Sequence, residues 1–508
     1  MERNERFLEI AESLRPTLLT HQVGVAETVS FRQAGEGKFL PVTEADYRTR
    51  QLKKGERVCL DFGSHLVGKV TLKFGSRGSH PDAPAWLRLK FAEQPCELFE
   101  NAEDYRGWIS TGWIQQEQIH IDVLPAVINM PRRYAFRYLQ IEVLDVSSKY
   151  ALTLEDAVCT ATTSADENML TQYTGEYPEL DRIACNTLKS CMQLLFEDGP
   201  KRDRRLWLGD LRMQALANYE TFHNDDLVKR CLYLFAGTTL PGGRTGACLF
   251  IEPEVEVDDT TMFDYSLFFN SVLLDYYKAT GDLETLRDLA PTGWNQFRLL
   301  QSCFDENGLV KDSDVLGWCF VDWNLNLNKQ ASAQGVYLYC LKAAMEIAQI
   351  LGQSDVYTSL QADYRGKRAA AEVLWNPEKL FFVSGEGRQI SWASQVWMVL
   401  GGAVDEKSGA QLLARLENEP KTEKMVTPYM YHNYVDALLA VGQREKALQV
   451  LTTYWGGMVD AGADTFWELY NPENPSESPY GGTIVNSYCH AWSCAPAYFL
   501  RHFFSERG

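Results

Sequence analysis

The 508-residue chain has 12 cysteines but no C-x-x-C pair and no finger-like Cys/His spacing. A zinc module and a thioredoxin-like redox motif are therefore excluded, and the thiols read as reduced, mostly core residues of a cytoplasmic protein. Long apolar runs are missing too, and the longest fall well short of the roughly 20 residues that cross a bilayer, so no membrane partner is expected. The segment Met1-Glu2-Arg3-Asn4-Glu5-Arg6 is charged and leads into a mixed stretch, so no secretory signal is expected. Positive charge is scarce: 49 Lys and Arg stand against 68 Asp and Glu, for a net charge of −19. That balance opposes a polyphosphate, which removes nucleic acid as a partner. The glycine loops G-x-G-x-x-G and G-x-x-x-x-G-K-S/T, the elbow G-x-S-x-G and the helix H-E-x-x-H are all absent, which weakens nucleotide, serine-hydrolase and zinc-protease readings.

What is abundant is aromatic, with 13 Trp and 24 Tyr in a chain of ordinary globular composition. From about residue 25 to 160, apolar and polar residues alternate. Val70, Leu72 and Phe74 interleave with Thr71 and Lys73, and Leu87, Leu89 and Phe91 with Arg88 and Lys90; Leu139, Ile141 and Val143 repeat the pattern. Short alternating strands separated by turn-rich stretches predict an antiparallel β-sandwich. After about residue 170 the period becomes helical. Leu341, Ala344, Met345, Ala348 and Leu351 share one face and stop at Gly352, a plausible C-cap. Comparable segments fall at 177–195, 210–222, 224–237, 263–280, 283–302, 330–351, 354–375, 391–402, 405–418, 428–441, 444–458 and 486–505. Six consecutive hairpins suit an (α/α)6 barrel, a six-hairpin toroid. We therefore expect a multidomain α and β chain, with a β-sandwich over residues 1–165 and the barrel over 166–508.

The long, Gly-, Pro-, Asp- and Trp-rich connections between helices are where a site is expected. The densest is Asp198-Gly199-Pro200-Lys201-Arg202-Asp203-Arg204-Arg205-Leu206-Trp207-Leu208-Gly209-Asp210, pinned at both ends by apolar residues. A solvated connector laced with ion pairs is the bland alternative. If Asp203 is a general acid, its four cationic neighbours must be offset, because unpaired cations would depress its pKa; Arg202, Arg204 and Arg205 are expected to point away or to pair with Asp198 and Asp210. A second segment, Asp464-Thr465-Phe466-Trp467-Glu468, sets Glu468 behind two aromatics, where partial desolvation would make a usable base; a Glu at a loop edge is the alternative. His490 and Trp492 open the last predicted helix, Asp322-Trp323 with Trp318 could form an aromatic platform, and Tyr429, Tyr431 and His432 either face the same mouth or pack.

The segment Asp198–Asp210 resembles the D-x-P-x-R-D/E-R-x-x-W-x-G-D signature of the inverting α-L-rhamnosidases of glycoside hydrolase family 78. Leu60-Asp61-Phe62-Gly63, Phe136-Arg137-Tyr138-Leu139, Asp322-Trp323, Thr465-Phe466-Trp467-Glu468 and His490 to Pro496 look like further landmarks of that family, in order over about residues 55–500. The resemblance implies a β-sandwich followed by an (α/α)6 barrel. It implies Asp203 as general acid and Glu468 as general base. Asp198, Asp210 and His490 fall at its sugar-contacting positions, and Trp207, Asp322, Trp323, Trp467 and Trp492 become candidate walls and hydroxyl partners. Two departures accompany it. Most members carry Glu where this chain has Asp203, and the family's usual C-terminal β-domain is expected to be absent.

The expected activity is an exo-acting, inverting hydrolysis that releases terminal α-L-rhamnose from an oligosaccharide or plant glycoside. The alternatives are a hydrolase of the same barrel acting on another terminal sugar, and a non-catalytic carbohydrate-binding relative. The partner expected is a small carbohydrate or glycoside; no cofactor and no metal are expected, and a homo-oligomer is compatible with the sequence.

Overall fold

The structure is a computed structural model that describes residues 1–35, 38–312 and 318–505. The first part is built on one long strand, Arg57–Gly78. Its first half pairs antiparallel with Tyr134–Asp145, in a register that sets Leu60 opposite Leu139. Its second half pairs with Tyr150–Thr163, setting Leu72 opposite Ala157. The sheet runs in the order Leu19–Gly24, Tyr150–Thr163, Arg57–Gly78, Tyr134–Asp145, Ala85–Ala92, Gln116–Ile121. The hairpin Glu27–Gly35/Lys38–Thr43 and the strand Ala126–Asn129 add to the spine's remaining edges. Every second residue turns inward, as the alternation predicts: Val70, Leu72, Phe74, Leu87, Leu89, Leu139, Ile141 and Val143 are fully buried in one core.

The second part is helical. Helices α2 (Pro178–Cys191), α3 (Leu208–Glu220), α4 (Asp225–Gly237), α5 (Phe263–Thr280), α6 (Leu283–Leu299), α7 (Gln330–Ile350), α8 (Ser354–Ala370), α9 (Trp392–Gly401), α10 (Glu406–Leu416), α11 (Pro428–Ala440), α12 (Arg444–Asp460) and α13 (Ala495–Phe499) follow one another as hairpins. Contacts run α3 to α5 to α7 to α9 to α11, and α13 with the short turn before it returns to α3, closing an inner ring. The inner helices α3, α5, α7, α9 and α11 are buried on nearly every face, and α6, α8, α10 and α12 expose a polar side to solvent. Local signals set the ends. Asp282 caps α6 by accepting from Thr285 N–H at 3.0 Å, Thr427 caps α11 ahead of Pro428, and α7 stops at Gly352, whose φ of +65° is left-handed.

Two elements differ from the sequence expectation. Helix α1 (Glu5–Ser13) lies in the segment assigned to the β-sandwich, and it sinks Phe7, Leu8 and Ala11 into the helical core instead. Asn4 N–H donates to Gly237 O at 2.9 Å, and Glu2–Arg3 pairs with Thr238–Thr239. The helix expected over 486–505 begins only at Ala495. Its first residues are extended because their backbone is engaged elsewhere: Ser487 O accepts from Glu468 N–H at 3.0 Å, His490 N–H donates to Phe466 O at 2.9 Å, and Ala491 N–H donates to Asp198 O at 3.0 Å. Local helical preference is weak here, since Ala491 is the one strong helix former in 486–494, and tertiary pairing decides.

The two parts are bolted together around the loops that carry chemistry. Arg133 of the sandwich forms two hydrogen bonds with Glu197, at 2.9 and 2.8 Å. Glu97 is paired with the fully buried Lys201, which also donates to Asn486 O at 2.8 Å. Glu93 accepts from Tyr488 N–H at 2.7 Å.

Candidate active site

A cavity of about 370 Å³ opens at one end of the barrel, between the helix connections and the sandwich loop that contains Trp108 and Trp113. Asp198, Asp203, Trp207, Asp210, Trp323, Glu468, His490 and Trp492 all line it. Asp322 and Trp467 fall outside its wall, as do Tyr429, Tyr431 and His432.

The segment 198–210 reaches the cavity as a pinched excursion. Asp198 N–H donates to Arg205 O at 3.0 Å and Asp198 Oδ1 accepts from Arg205 N–H at 3.1 Å, closing the base of the turn. Gly199 lets it lie flat against 487–490, since a Cβ there would stand 2.7 Å from Ser487 Oγ and 3.2 Å from Cys489 O. At the tip, Asp203 and Arg204 both adopt left-handed backbone, with φ of +61° and +56°. Two successive non-glycine residues in this region store strain, and such strain concentrates at functional positions. Its effect is to set the Asp203 carboxylate into the cavity while Arg204 turns back to donate to Pro200 O and Arg133 O, each at 2.9 Å. Arg205 turns aside to Asp258 at 3.3 Å.

Arg202 does not turn away as expected. It is buried in the cavity wall, donates to Val485 O at 2.9 Å, forms an ion pair with Glu468, and brings Nη1 to 3.8 Å from Asp203 Oδ2. The reason is Glu468, which is itself buried and needs a counter-charge. The other Glu468 oxygen accepts from the Tyr480 hydroxyl, its N–H donates to Ser487 O, and its carbonyl accepts from Trp492 Nε1 at 3.0 Å. Burial pushes the Glu468 carboxyl above its usual range, with Arg202 and Tyr480 pulling the other way and losing.

The floor is acidic and almost dry. Asp198 and Asp210 are buried, and burial drives both far above the ordinary carboxylate range, reinforced at Asp198 by Asp203 and at Asp210 by Glu468. His490 lies between them, Nε2 at 3.9 Å from Asp198 and Nδ1 at 3.7 Å from Asp210. Burial and the Arg202 charge hold this imidazole well below its usual pKa, so it is neutral. Tyr265 donates to Asp210 Oδ2 at 3.2 Å; Asp210 Oδ1 and His490 Nδ1 have no hydrogen-bond partner among the described residues. Buried polar capacity of this kind suits hydroxyl groups. Trp492, 4.2 Å from the His490 ring and stacked on Phe320, supplies an apolar side, and Trp207 another.

Asp322 is spent elsewhere. Its carboxylate accepts from Val426 N–H at 2.9 Å, Thr427 Oγ1 at 2.6 Å and Trp323 N–H at 2.9 Å, which ties its loop to the start of α11; burial pushes its pKa up to about 6. Trp467 lines a separate cavity of about 190 Å³ between sandwich and barrel. Tyr431 and His432 pack: Tyr431 stacks on Tyr454 at 3.6 Å and His432 is fully buried against Phe499. The sequence does not single out Tyr480 and the sandwich tryptophans, which stand outside any periodic pattern, or Tyr265, which the helical pattern of 263–280 presents as one more core residue; only the aromatic surplus hints at them.

Comparison with known proteins places this geometry. The profile described as the glycosyl hydrolase family 78 alpha-rhamnosidase N-terminal domain matches residues 33–161, and that of the bacterial alpha-L-rhamnosidase 6 hairpin glycosidase domain matches residues 175–503, well over half the chain. Among solved structures, a rhamnosidase from Klebsiella oxytoca with rhamnose bound is 46% identical, with 98% of each chain covered and a TM-score of 0.93. A family 78 rhamnosidase of Bacillus sp. GL1 shares the fold at 21% identity, over 87% of this chain and 46% of its own, with a TM-score of 0.73. The Streptomyces avermitilis alpha-L-rhamnosidase does so at 16% identity, over 96% and 44%, with a TM-score of 0.66. No curated protein matches the chain. A sandwich leading into a closed ring of hairpins, with carboxylates gathered at one mouth, defines a six-hairpin glycosidase. The chain belongs to glycoside hydrolase family 78, the α-L-rhamnosidases.

Proposed function

We propose that this glycoside hydrolase releases terminal α-L-rhamnose from small glycosides or oligosaccharides in one inverting step, with Asp203 as general acid and Glu468 as general base. The observation that carries the reading is that a single guanidinium, Arg202, touches both carboxylates from the wall of one cavity. In an inverting pair the two carboxyls stand about 6.5–9.5 Å apart, which leaves room for water across the sugar ring. Asp203 gives its proton to the glycosidic oxygen as the bond to the anomeric carbon breaks; Glu468 takes a proton from the water that attacks the opposite face. Asp198, Asp210 and His490 would bind the sugar hydroxyls against Trp492. The bound rhamnose of the 46%-identical Klebsiella oxytoca protein supports the choice of sugar.

A panel of nitrophenyl glycosides, followed by early-time NMR of the released sugar, tests the reading. Release from the α-L-rhamnoside with the β-anomer appearing first is expected. Release from a different sugar only would overturn the substrate, initial formation of the α-anomer the mechanism, and binding without release the catalysis.

A further inference from the structure

Exposure rises steadily from the floor of the cavity to its rim. Asp210 and His490 are 2% and 3% exposed, the Asp203 side chain 23%, and Trp108 67%. A terminal sugar seated among the buried polar groups would send its leaving group outward past Asp203 toward the exposed rim, where Trp108 and Trp318 stand. A tryptophan this exposed is unusual, and its ring is not free to wander. Its Nε1 donates to Pro479 O at 2.9 Å, and its ring centroid lies 5.4 Å from that of Tyr480 at 55°. The preceding backbone is pressed onto the same segment: a Cβ at Gly107 would stand 1.8 Å from Tyr480 O, which excludes any side chain there. Tyr105 reinforces the junction, its hydroxyl donating to Tyr480 O at 2.7 Å and accepting from Ile109 N–H at 3.1 Å. An exposed apolar ring held in one orientation at a cavity mouth is a preorganised stacking face, since the entropy of ordering it has already been met in the fold.

We propose that Trp108, contributed by the β-sandwich, is the platform on which the leaving group stacks, and that it sets a preference for glycosides whose leaving group presents a flat ring, aryl or pyranose, next to the scissile oxygen. The proposal rests on the hydrolase reading above. The β-sandwich thereby takes part in substrate selection as well as support.

The test compares kcat/KM of wild type, Trp108→Ala and Trp108→Phe on methyl α-L-rhamnoside, p-nitrophenyl α-L-rhamnoside and a rhamnosyl-glucose disaccharide, with affinity for free rhamnose measured alongside. Trp108→Ala should lose about 10–100-fold on the ring-bearing substrates, and at least about tenfold more than on the methyl glycoside, with Trp108→Phe recovering most of the difference. Loss confined to the aryl glycoside or to the disaccharide supports the platform and names which ring it takes. Equal losses on all three substrates, or weakened binding of free rhamnose, would overturn it in favour of a brace for Tyr480. No loss at all would route the leaving group elsewhere. A wild type inactive on every rhamnoside would remove the hydrolase reading and this proposal with it, whereas activity with parallel losses removes the platform alone.

Discussion

Asp203 and Glu468 line one cavity under opposite constraints. The Asp203 side chain is 23% exposed, sits on a strained left-handed turn, and touches a single cation at 3.8 Å. Glu468 has a 6% exposed side chain, with one oxygen on Arg202 and the other on Tyr480, and its peptide N–H and C=O are both engaged. The contrast suits the proposed roles: an acid that reaches a leaving oxygen held by a variable substrate needs access and some play, whereas a base that activates one water needs a fixed direction and a maintained charge. Arg202 serves both. Its charge favours the Glu468 anion against burial, and it stands further from Asp203, at 3.8 Å.

The largest effect is expected from Glu468→Gln, which keeps the shape and removes the proton acceptor. Turnover should fall by about 10²–10⁴ or more while rhamnose affinity, read by calorimetry, changes little; near-normal kcat would break the comparison by removing Glu468 from the chemistry. Asp203→Asn sharpens it. Loss should be about a hundredfold or more on methyl rhamnoside and far smaller on a nitrophenyl rhamnoside, whose leaving group departs without a proton. Equal loss on both would make Asp203 a binding residue. Arg202→Gln should have the smallest effect at alkaline pH and a growing one as pH falls. Burial already raises the Glu468 pKa, and without the guanidinium it rises further. A base works as its anion, so activity is lost as pH drops through that pKa, and the acid limb of kcat/KM must move to higher pH. A limb that stays in place or moves down would separate Arg202 from the base.

The strands and most helices are legible in the sequence because periods of two and of about 3.6 record which face is buried. Val70, Leu72 and Phe74 mark their sheet face, and Leu341, Ala344 and Ala348 their helix face, without knowledge of what covers them. The failures occur where a distant partner decides. Residues 486–494 continue into the apolar run of the last helix, yet they hold only one strong helix former, Ala491, and their backbone completes the loops at 198 and 466–468. Asp322 looks like a sugar ligand and is a tie between two loops, a distinction set by Val426 and Thr427 more than 100 positions away. Arg202 defeated a correct electrostatic argument that treated Asp203 alone, because the argument lacked the buried carboxylate facing it.

Helix α1 carries a consequence for biosynthesis. Its seat is formed by α4 and the residues that follow it, some 220 positions later in the chain, and the sandwich lies between the two in sequence. At translation rates of about 5–20 residues per second, Phe7, Leu8 and Ala11 wait roughly 10–45 s for cover. The sandwich, whose strands are all made within that interval, must complete its own core without recruiting them. Their cover is complete only once Asp225–Gly237 has cleared the ribosome and Arg230 can reach the carbonyl of Ala11.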